Sequence, residues 1–96
     1  MYMNRSVVHS SAFRRDYKRE AKGKHRATLE NELVPILTAL TNDQPLDPLR
    51  RDHDLSGDWS GYRECHVKPD LLLIYRKTED NSIRLARLGS HSELFG

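Results

Sequence analysis

The sequence predicts an α+β fold in which two helices of the first half pack on an antiparallel sheet built by the second half. Before residue 41, apolar residues recur every three or four positions, which is the spacing of a helix face. After residue 51, short apolar or alternating runs are separated by turn residues, a pattern typical of strands. Because the chain has 96 residues and no repeat or internal linker, we expect one domain spanning residues 1–96.

The first elements are a short strand over residues 6–9 and a helix that begins at Ser11. Phe13, Tyr17 and Ala21 fall four apart, so they share one face of that helix. Gly23 is a natural end for it, because glycine is common just past a helix C-terminus. We therefore expect a single amphipathic helix of about three turns here.

A second helix is predicted from a continuous apolar stripe interrupted by Pro35. The stripe consists of Leu29, Leu33, Ile36, Leu37 and Leu40. A proline inside a helix removes one hydrogen bond and costs about 3 kcal/mol unless the helix bends. Since the stripe keeps its phase across Pro35, we expect one kinked helix.

The second half of the chain is predicted to be strand-like to its end. The expected strands are residues 52–55, 62–67, 71–75 and 83–88. The segment Lys68-Pro69-Asp70 has turn chemistry, so the strands on either side of it form a hairpin. This hairpin is the centre of the predicted sheet.

The charge of the chain is nearly balanced, but its distribution is not. The formal net charge is +2, hydrophobic residues make up 36% and charged residues 31%, and the mean hydropathy is -0.78. Residues 14–26 contain seven Lys or Arg against two acids. The basic residues are Arg14, Arg15, Lys18, Arg19, Lys22, Lys24 and Arg26. This stripe is either a footprint for phosphate groups or a solvated helix face.

The sequence also argues against several classes of protein. A single cysteine, Cys65, excludes an internal disulfide and a multi-cysteine metal cluster. In a strand its side chain points away from that of His66, so we expect a small buried side chain rather than a nucleophile. No apolar run has membrane-spanning length and no signal region opens the chain. We expect a cytoplasmic protein with no membrane partner.

Three histidines of the strand-rich half are candidates for acid–base chemistry. His53, His66 and His91 each lie near a turn or strand end, and the hairpin brings Asp70 close to His66. Imidazoles titrate near neutral pH, so one can act as base and another as acid. RNA cleavage needs this equipment together with a cation for the charge on phosphorus, and Arg87 is the candidate cation.

The same residues also fit roles without acid–base chemistry, and Arg87 can simply pair with an acid. A histidine in a strand is often a surface or hydrogen-bonded structural residue, and Asp70 after a proline is an ordinary turn residue. The three histidines and Asp70 also suit a zinc site, although no pair has the short ligand spacing of a strong metal motif.

Three motifs of the second half carry a resemblance to a known family. They are DH-x-L-x-G-x-W-x-GYR, H-V-x-PD followed by an apolar strand ending in IY, and R-x-G-x-H-x-x-LF-G. Together they closely resemble the YafQ toxins of the RelE-like superfamily of bacterial type II toxin–antitoxin systems. The helical half is similar in layout more than in residues.

The resemblance implies a small antiparallel sheet with two N-terminal helices on one face. It also implies a ribosome-dependent endoribonuclease that cuts mRNA in the ribosomal A site without a metal or other cofactor, and so inhibits translation. The family's catalytic positions fall on His53, His66, Asp70, His91 and Phe95. By this likeness the histidines share the acid and base work, Asp70 supports proton transfer and Phe95 stacks on or positions a base.

The resemblance further implies the partners of the chain. Expected RNA-binding residues are Arg87 and, on the first helix, Arg14, Arg15, Lys18, Arg19 and Lys22. Expected partners are the 70S ribosome with mRNA in the A site and a cognate DinJ-like antitoxin, with operator DNA bound only through the antitoxin. The alternatives are a non-enzymatic module that binds RNA or the ribosome, and a metal hydrolase.

Overall fold

A computed structural model describes residues 4–96, which form five strands, three α-helices and two short 3-10 turns. The strands are β1 (Ser6–His9), β2 (His53–Asp54), β3 (Arg63–Lys68), β4 (Leu71–Lys77) and β5 (Ser82–Gly89). The helices are α1 (Ser11–Glu20), α2 (Leu29–Thr41) and α3 (His91–Phe95). The 3-10 turns are Pro48–Arg50 and Gly57–Trp59. None of the helices within residues 4–96 combines the length and apolarity needed to cross a membrane.

The strands form one sheet in the order β1-β5-β4-β3-β2. Strands β2 to β5 are antiparallel neighbours, as predicted, whereas β1 runs parallel to β5 with Val7 opposite Ile83. The α+β class is confirmed, but the sheet is mixed and the expectation of a purely antiparallel sheet is wrong for β1. Parallel pairing is possible there because a long connection, which includes both N-terminal helices, separates the two strands.

The sheet separates two apolar clusters. The larger cluster lies on the face covered by α1 and α2, here called the helix face, and includes Phe13, Leu33, Ile36, Cys65 and Leu73. The smaller cluster lies on the other face, here called the open face. It consists of Leu72, Ile74, Ala86 and Leu94, with Leu55, Trp59 and Tyr62 packed against it. Residues of β4 alternate between the two faces, and its first five residues are all buried, as expected of a central strand.

Helix α1 is attached to β5 at its N-cap residue. Ser10 is its N-cap: the Ser10 Oγ accepts a hydrogen bond from the Phe13 backbone N–H and donates one to the carbonyl of Ala86. Further along, Asp16 accepts a bond from the Leu88 N–H, and Arg19 donates one to the Leu88 carbonyl. Beyond the end of β1, the edge of β5 has no neighbouring strand to pair its backbone groups. These side chains make hydrogen bonds to those groups instead.

Helix α2 continues through Pro35, which confirms a single helix over the apolar stripe. Its residues Leu29, Leu33, Ile36 and Leu40 are all buried in the larger cluster. The stripe therefore predicted both the helix and the face that it buries.

The prediction that the chain is strand-like to its end is wrong, because the last residues form α3. Ser90 and Glu93 make a capping box: the Ser90 Oγ accepts from the Glu93 N–H, and the Ser90 N–H donates to the Glu93 carboxylate. The sequence pattern S-x-x-E at residues 90–93 is the one that forms a capping box. The backbone N–H of Ser90 lowers the pKa of Glu93. Because α3 is helical, His91 and Phe95 fall four residues apart on one side of it.

Candidate active site

The open face of β2, β3 and β4 carries the predicted histidines in a fixed register. His53 lies opposite Glu64, Glu64 opposite Ile74, and His66 opposite Leu72. Directly opposed residues of antiparallel strands share a face, so all of these side chains lie on the open face. Cys65, one residue from His66, is buried in the larger cluster on the helix face, as predicted.

A pocket of about 460 Å³ brings three of the predicted site residues together. His66, Asp70 and His91 line it, from β3, from the turn that follows, and from the start of α3. Its remaining lining residues are Glu64, Pro69, Leu72, Ser90 and Ser92. Two imidazoles and a carboxylate therefore share one cleft, which is the arrangement that acid–base chemistry requires.

His53 lies beside this pocket rather than in its lining. Its Nε2 is 3.0 Å from Oε2 of Glu64, which does line the pocket. Its Nδ1 is 2.6 Å from the backbone carbonyl of Arg51. Only the contact with the Arg51 carbonyl has the geometry of a hydrogen bond, and the contact with Glu64 is an ion pair when the ring is protonated.

Phe95 does not line the pocket, but its ring contacts that of His91, which does. The centroids of their rings are 5.0 Å apart, and the Phe95 side chain remains 37% exposed. An exposed phenylalanine beside a catalytic candidate leaves a ring face available for stacking on a base.

Asp70 has two partners that the sequence did not suggest, both in the connection between α1 and α2. Nζ of Lys24 is 2.6 Å from Oδ2 of Asp70, and Nε2 of His25 is 3.0 Å from Oδ1 without the alignment of a hydrogen bond. The hydrogen bond from Lys24 lowers the pKa of Asp70. Asp70 is therefore a carboxylate at neutral pH, and no local sequence pattern links it to so distant a segment.

Glu64 is the other residue that sequence reasoning missed. It is 7% exposed, and its Oε1 is buried without a hydrogen-bond partner among residues 4–96. A buried carboxylate oxygen without a partner costs free energy, and a catalytic role is one reason that a protein keeps such a group. The alternation of β3 could have identified Glu64, because Glu64 and His66 are two residues apart in a strand and therefore share a face.

Comparison with known proteins identifies the family. Residues 5–96 match the family described as the bacterial toxin of type II toxin-antitoxin system, YafQ. The chain belongs to the YafQ toxin family. The resemblance carried by the three motifs of the second half is thereby confirmed.

Individual relatives of the YafQ-family chain agree in sequence and fold. The mRNA interferase toxin YafQ of Escherichia coli strain K12 is 39% identical over 95 residues, which are 98% of this chain and 99% of the relative. The toxin in the crystal structure of the E. coli DinJ-YafQ toxin-antitoxin complex is 38% identical with a TM-score of 0.82, covering 98% and 100%. A metal-bound toxin from Helicobacter pylori is 40% identical with a TM-score of 0.85, covering 95% and 99%.

Arg87, the candidate cation of this YafQ-family chain, is held by an acid of α1. Its Nε donates to Oδ2 of Asp16 at 2.7 Å and its second nitrogen donor to Oδ1 at 3.3 Å. Burial alone would raise the pKa of Asp16, but the bonds from Arg87 and the Leu88 N–H bring it below its ordinary value. Arg87 lies opposite Ile74 in the sheet but does not line the pocket. Its role as the cation stays a prediction.

The basic stripe of α1 divides into two kinds of residue. Arg19 contacts the carboxylates of Asp16, Glu20 and Glu93, so its charge is already matched. The other predicted RNA-binding residues, in α1 and in the turn that follows it, are exposed and make no ion pair with any part of residues 4–96. They are Arg14, Arg15, Lys18 and Lys22.

The zinc alternative has no geometric support in the described part of the chain. Residues 4–96 contain no group of three or more His, Cys, Asp or Glu side chains placed to hold one metal ion. Asp70 in particular is turned toward Lys24, whose positive charge competes with a cation.

Proposed function

We propose that this protein is the mRNA interferase toxin of a type II toxin–antitoxin system, an endoribonuclease that cuts mRNA in the ribosomal A site and so inhibits translation. The observation that carries the proposal is the pocket shared by His66, Asp70 and His91. Membership of the YafQ family and the mRNA interferase name of the E. coli relative support it.

The proposed reaction uses the 2′-OH of a ribose as nucleophile. One imidazole takes the proton from that hydroxyl, its oxygen attacks the adjacent phosphorus, and a second imidazole gives a proton to the leaving 5′-oxygen. Protein acid–base groups supply both proton transfers, so the proposed mechanism has no metal in it. His66 and His91 are the pair best placed for this exchange, because both line the pocket.

The neighbouring carboxylates have distinct proposed roles. Glu64 orients the His53 ring through the contact between Oε2 and Nε2. Asp70, kept ionised by Lys24, stabilises a nearby imidazolium and so supports proton transfer. Phe95 stacks on a base of the mRNA next to His91.

The partners are proposed from charge and from the relatives. Exposed cations of α1 suit the phosphates of ribosomal RNA, where each neutralised phosphate adds salt-dependent affinity. The solved DinJ-YafQ complex supports a DinJ-like antitoxin as the cognate partner. Operator DNA is then bound through the antitoxin rather than through this chain.

His91→Ala tests the enzymatic proposal. We expect loss of ribosome-dependent mRNA cleavage and of growth arrest, with ribosome binding retained, because His91 is removed from the pocket while the buried Leu94 keeps α3 in place. His9→Ala is the matched control, since His9 is an exposed histidine that stacks on Phe13 at the helix face. Growth arrest by the His91→Ala variant would instead favour a non-enzymatic module that occupies the ribosome.

Two further measurements separate the remaining alternatives. Cleavage that persists in excess EDTA, after the magnesium need of the ribosome is met, excludes a metal hydrolase. Charge reversal at Arg14, Arg15 and Lys18 is expected to weaken ribosome association and flatten its salt dependence. Unchanged association across a salt titration would contradict the docking role of α1.

A further inference from the structure

A row of side chains across the open face lies outside the pocket and has no role in the mechanism above. Arg76 of β4 lies opposite Arg84 of β5, and both are exposed. On the other side of β4, the Arg76 guanidinium lies over the ring of Tyr62, 5.7 Å from its centroid. Trp59 meets the same tyrosine edge to face at 5.2 Å. The row Tyr62, Arg76, Arg84 therefore crosses three adjacent chain segments.

The two arginines are a like-charge pair without a compensating acid. Like charges directly opposed on neighbouring strands are destabilising. Arg63 and Arg87, elsewhere in the sheet, are each matched by aspartates. Neither Arg76 nor Arg84 makes an ion pair with a carboxylate of residues 4–96. An anionic ligand on this face would remove the repulsion.

The row is aligned with the pocket. Along β4, Leu72 lines the pocket, and Arg76 is four residues further on the same face. At about 3.3 Å per residue this separation is about 13 Å. Ile74, between them on the same face, is buried under the smaller cluster, so a strand of nucleic acid in the pocket reaches the arginine row by passing over the surface of that cluster.

We propose that Arg76 and Arg84 bind the phosphates of the mRNA strand that flanks the scissile bond. Two unmatched guanidinium groups attract a polyanion, and Tyr62 holds the Arg76 side chain by a cation–π contact. An acidic peptide is the less suitable ligand, because the row continues the face that carries the RNA-cleaving pocket. This inference rests on the proposed function and extends it from the reacting atoms to the bound strand.

The test compares Arg76→Gln/Arg84→Gln with Lys77→Gln. Lys77 is the next residue of β4, on the helix face, so its loss removes one exposed charge without touching the row. Binding is measured by fluorescence anisotropy across a salt titration, with free single-stranded RNA, mRNA-programmed ribosomes and ribosomes without mRNA. The programmed mRNA carries 2′-deoxyribose at the target codon, so that it lacks the nucleophile and stays intact.

For the double variant we expect weaker binding to free RNA and to mRNA-programmed ribosomes, with unchanged binding to ribosomes without mRNA. The slope of log affinity against log salt for free RNA should fall by about 1.4, since each phosphate contact to a single strand contributes about 0.7. In cleavage assays KM should rise while kcat is kept. Lys77→Gln should match the wild type.

The inference is wrong if the double variant keeps the wild-type affinity for RNA and the wild-type salt slope. It is also wrong if the double variant loses the same affinity for ribosomes with and without mRNA, because the arginine pair would then bind ribosomal RNA. A wild-type protein that binds no free RNA and no ribosomes would also overturn it. A different result is expected if the protein binds mRNA but the proposed cleavage activity is wrong. In that case the wild type binds RNA through the pair, with the expected salt slope, but does not cleave it.

Discussion

His53 and Glu64 face each other across the β2–β3 pair, with the imidazole Nε2 3.0 Å from the carboxylate Oε2. This contact connects a histidine outside the pocket to a buried acid that lines it. The second carboxylate oxygen of Glu64 is buried without a hydrogen-bond partner among residues 4–96. The placement suits a residue that positions His53.

The first prediction concerns Glu64→Gln. We expect the cleavage rate to fall about 100-fold, because a displacement of about 1 Å in a catalytic group has effects of that size. The free energy of unfolding should stay the same or increase, because the variant removes a buried charge. The measurements are kcat, KM and urea unfolding, with Glu79→Gln in the exposed β4–β5 turn as control. Parallel losses of stability and activity would contradict a positioning role.

The second prediction concerns the pair of Lys24 and Asp70. The pKa of Asp70 is lowered by Lys24, so the pair stabilises the fold above the ordinary value of 3.8 and loses that contribution as the pH falls through the lowered pKa. Lys24→Gln should raise the pKa of Asp70 toward 3.8, as measured by NMR titration of its carboxyl carbon. Lys22→Gln is the control, since Lys22 is an exposed lysine of the same turn. An unchanged Asp70 titration in Lys24→Gln would refute the contact.

The third prediction concerns the junction of α1 and β5. Asp16→Ala should destabilise the protein by about 2–4 kcal/mol, because it leaves Arg87 and the Leu88 N–H without their acceptor. The folded-state pKa of Asp16 is lowered, so its charge stabilises the fold above the ordinary value of 3.8 and less as the pH falls below it. Asp16→Asn should therefore cost more at pH 7 than at pH 3, measured by urea unfolding.

The control for this junction is Asp58→Asn, at an exposed aspartate of the Gly57–Trp59 turn. Its effect on the free energy of unfolding should be small and nearly independent of pH. A cost of Asp16→Asn that is equal at both pH values would show that the carboxylate charge is not what joins α1 to β5.

The fourth prediction concerns Cys65. Burial raises the pKa of the Cys65 thiol to about 12, and its side chain is 0% exposed. We expect no reaction with a disulfide reagent at pH 8 in the folded protein and rapid reaction after unfolding in urea. Cys65→Ala should retain cleavage and cost about 1 kcal/mol of stability for the lost apolar contact. Loss of cleavage in a folded Cys65→Ala variant would give the thiol an unexpected part in the reaction.

Local patterns predicted most of the secondary structure. The sequence predicted the stripe of α2, the hairpin around Pro69 and the alternation that buries Cys65 and places His66 on the other face, because each depends on residues close in sequence. Helix α3 was missed although Ser90 and Glu93 form its capping box, since a five-residue helix has too little periodicity to stand out beside strand signals. The pattern of the strand-rich half pointed to His53, His66, Asp70 and His91, and the family motifs then assigned these residues, with Phe95, to catalytic positions.

Patterns of neighbouring residues specify the helices and strands other than α3, the faces that they bury and the residue types available for acid–base chemistry. The tertiary structure decided that β1 joins the sheet in parallel, that Glu64 meets His53, that Lys24 meets Asp70 and that Asp16 takes Arg87. The reason is that periodicity and turn chemistry are properties of neighbours in the chain. Contacts between distant segments depend instead on strand register and helix placement, where a shift of one residue turns a side chain to the opposite face.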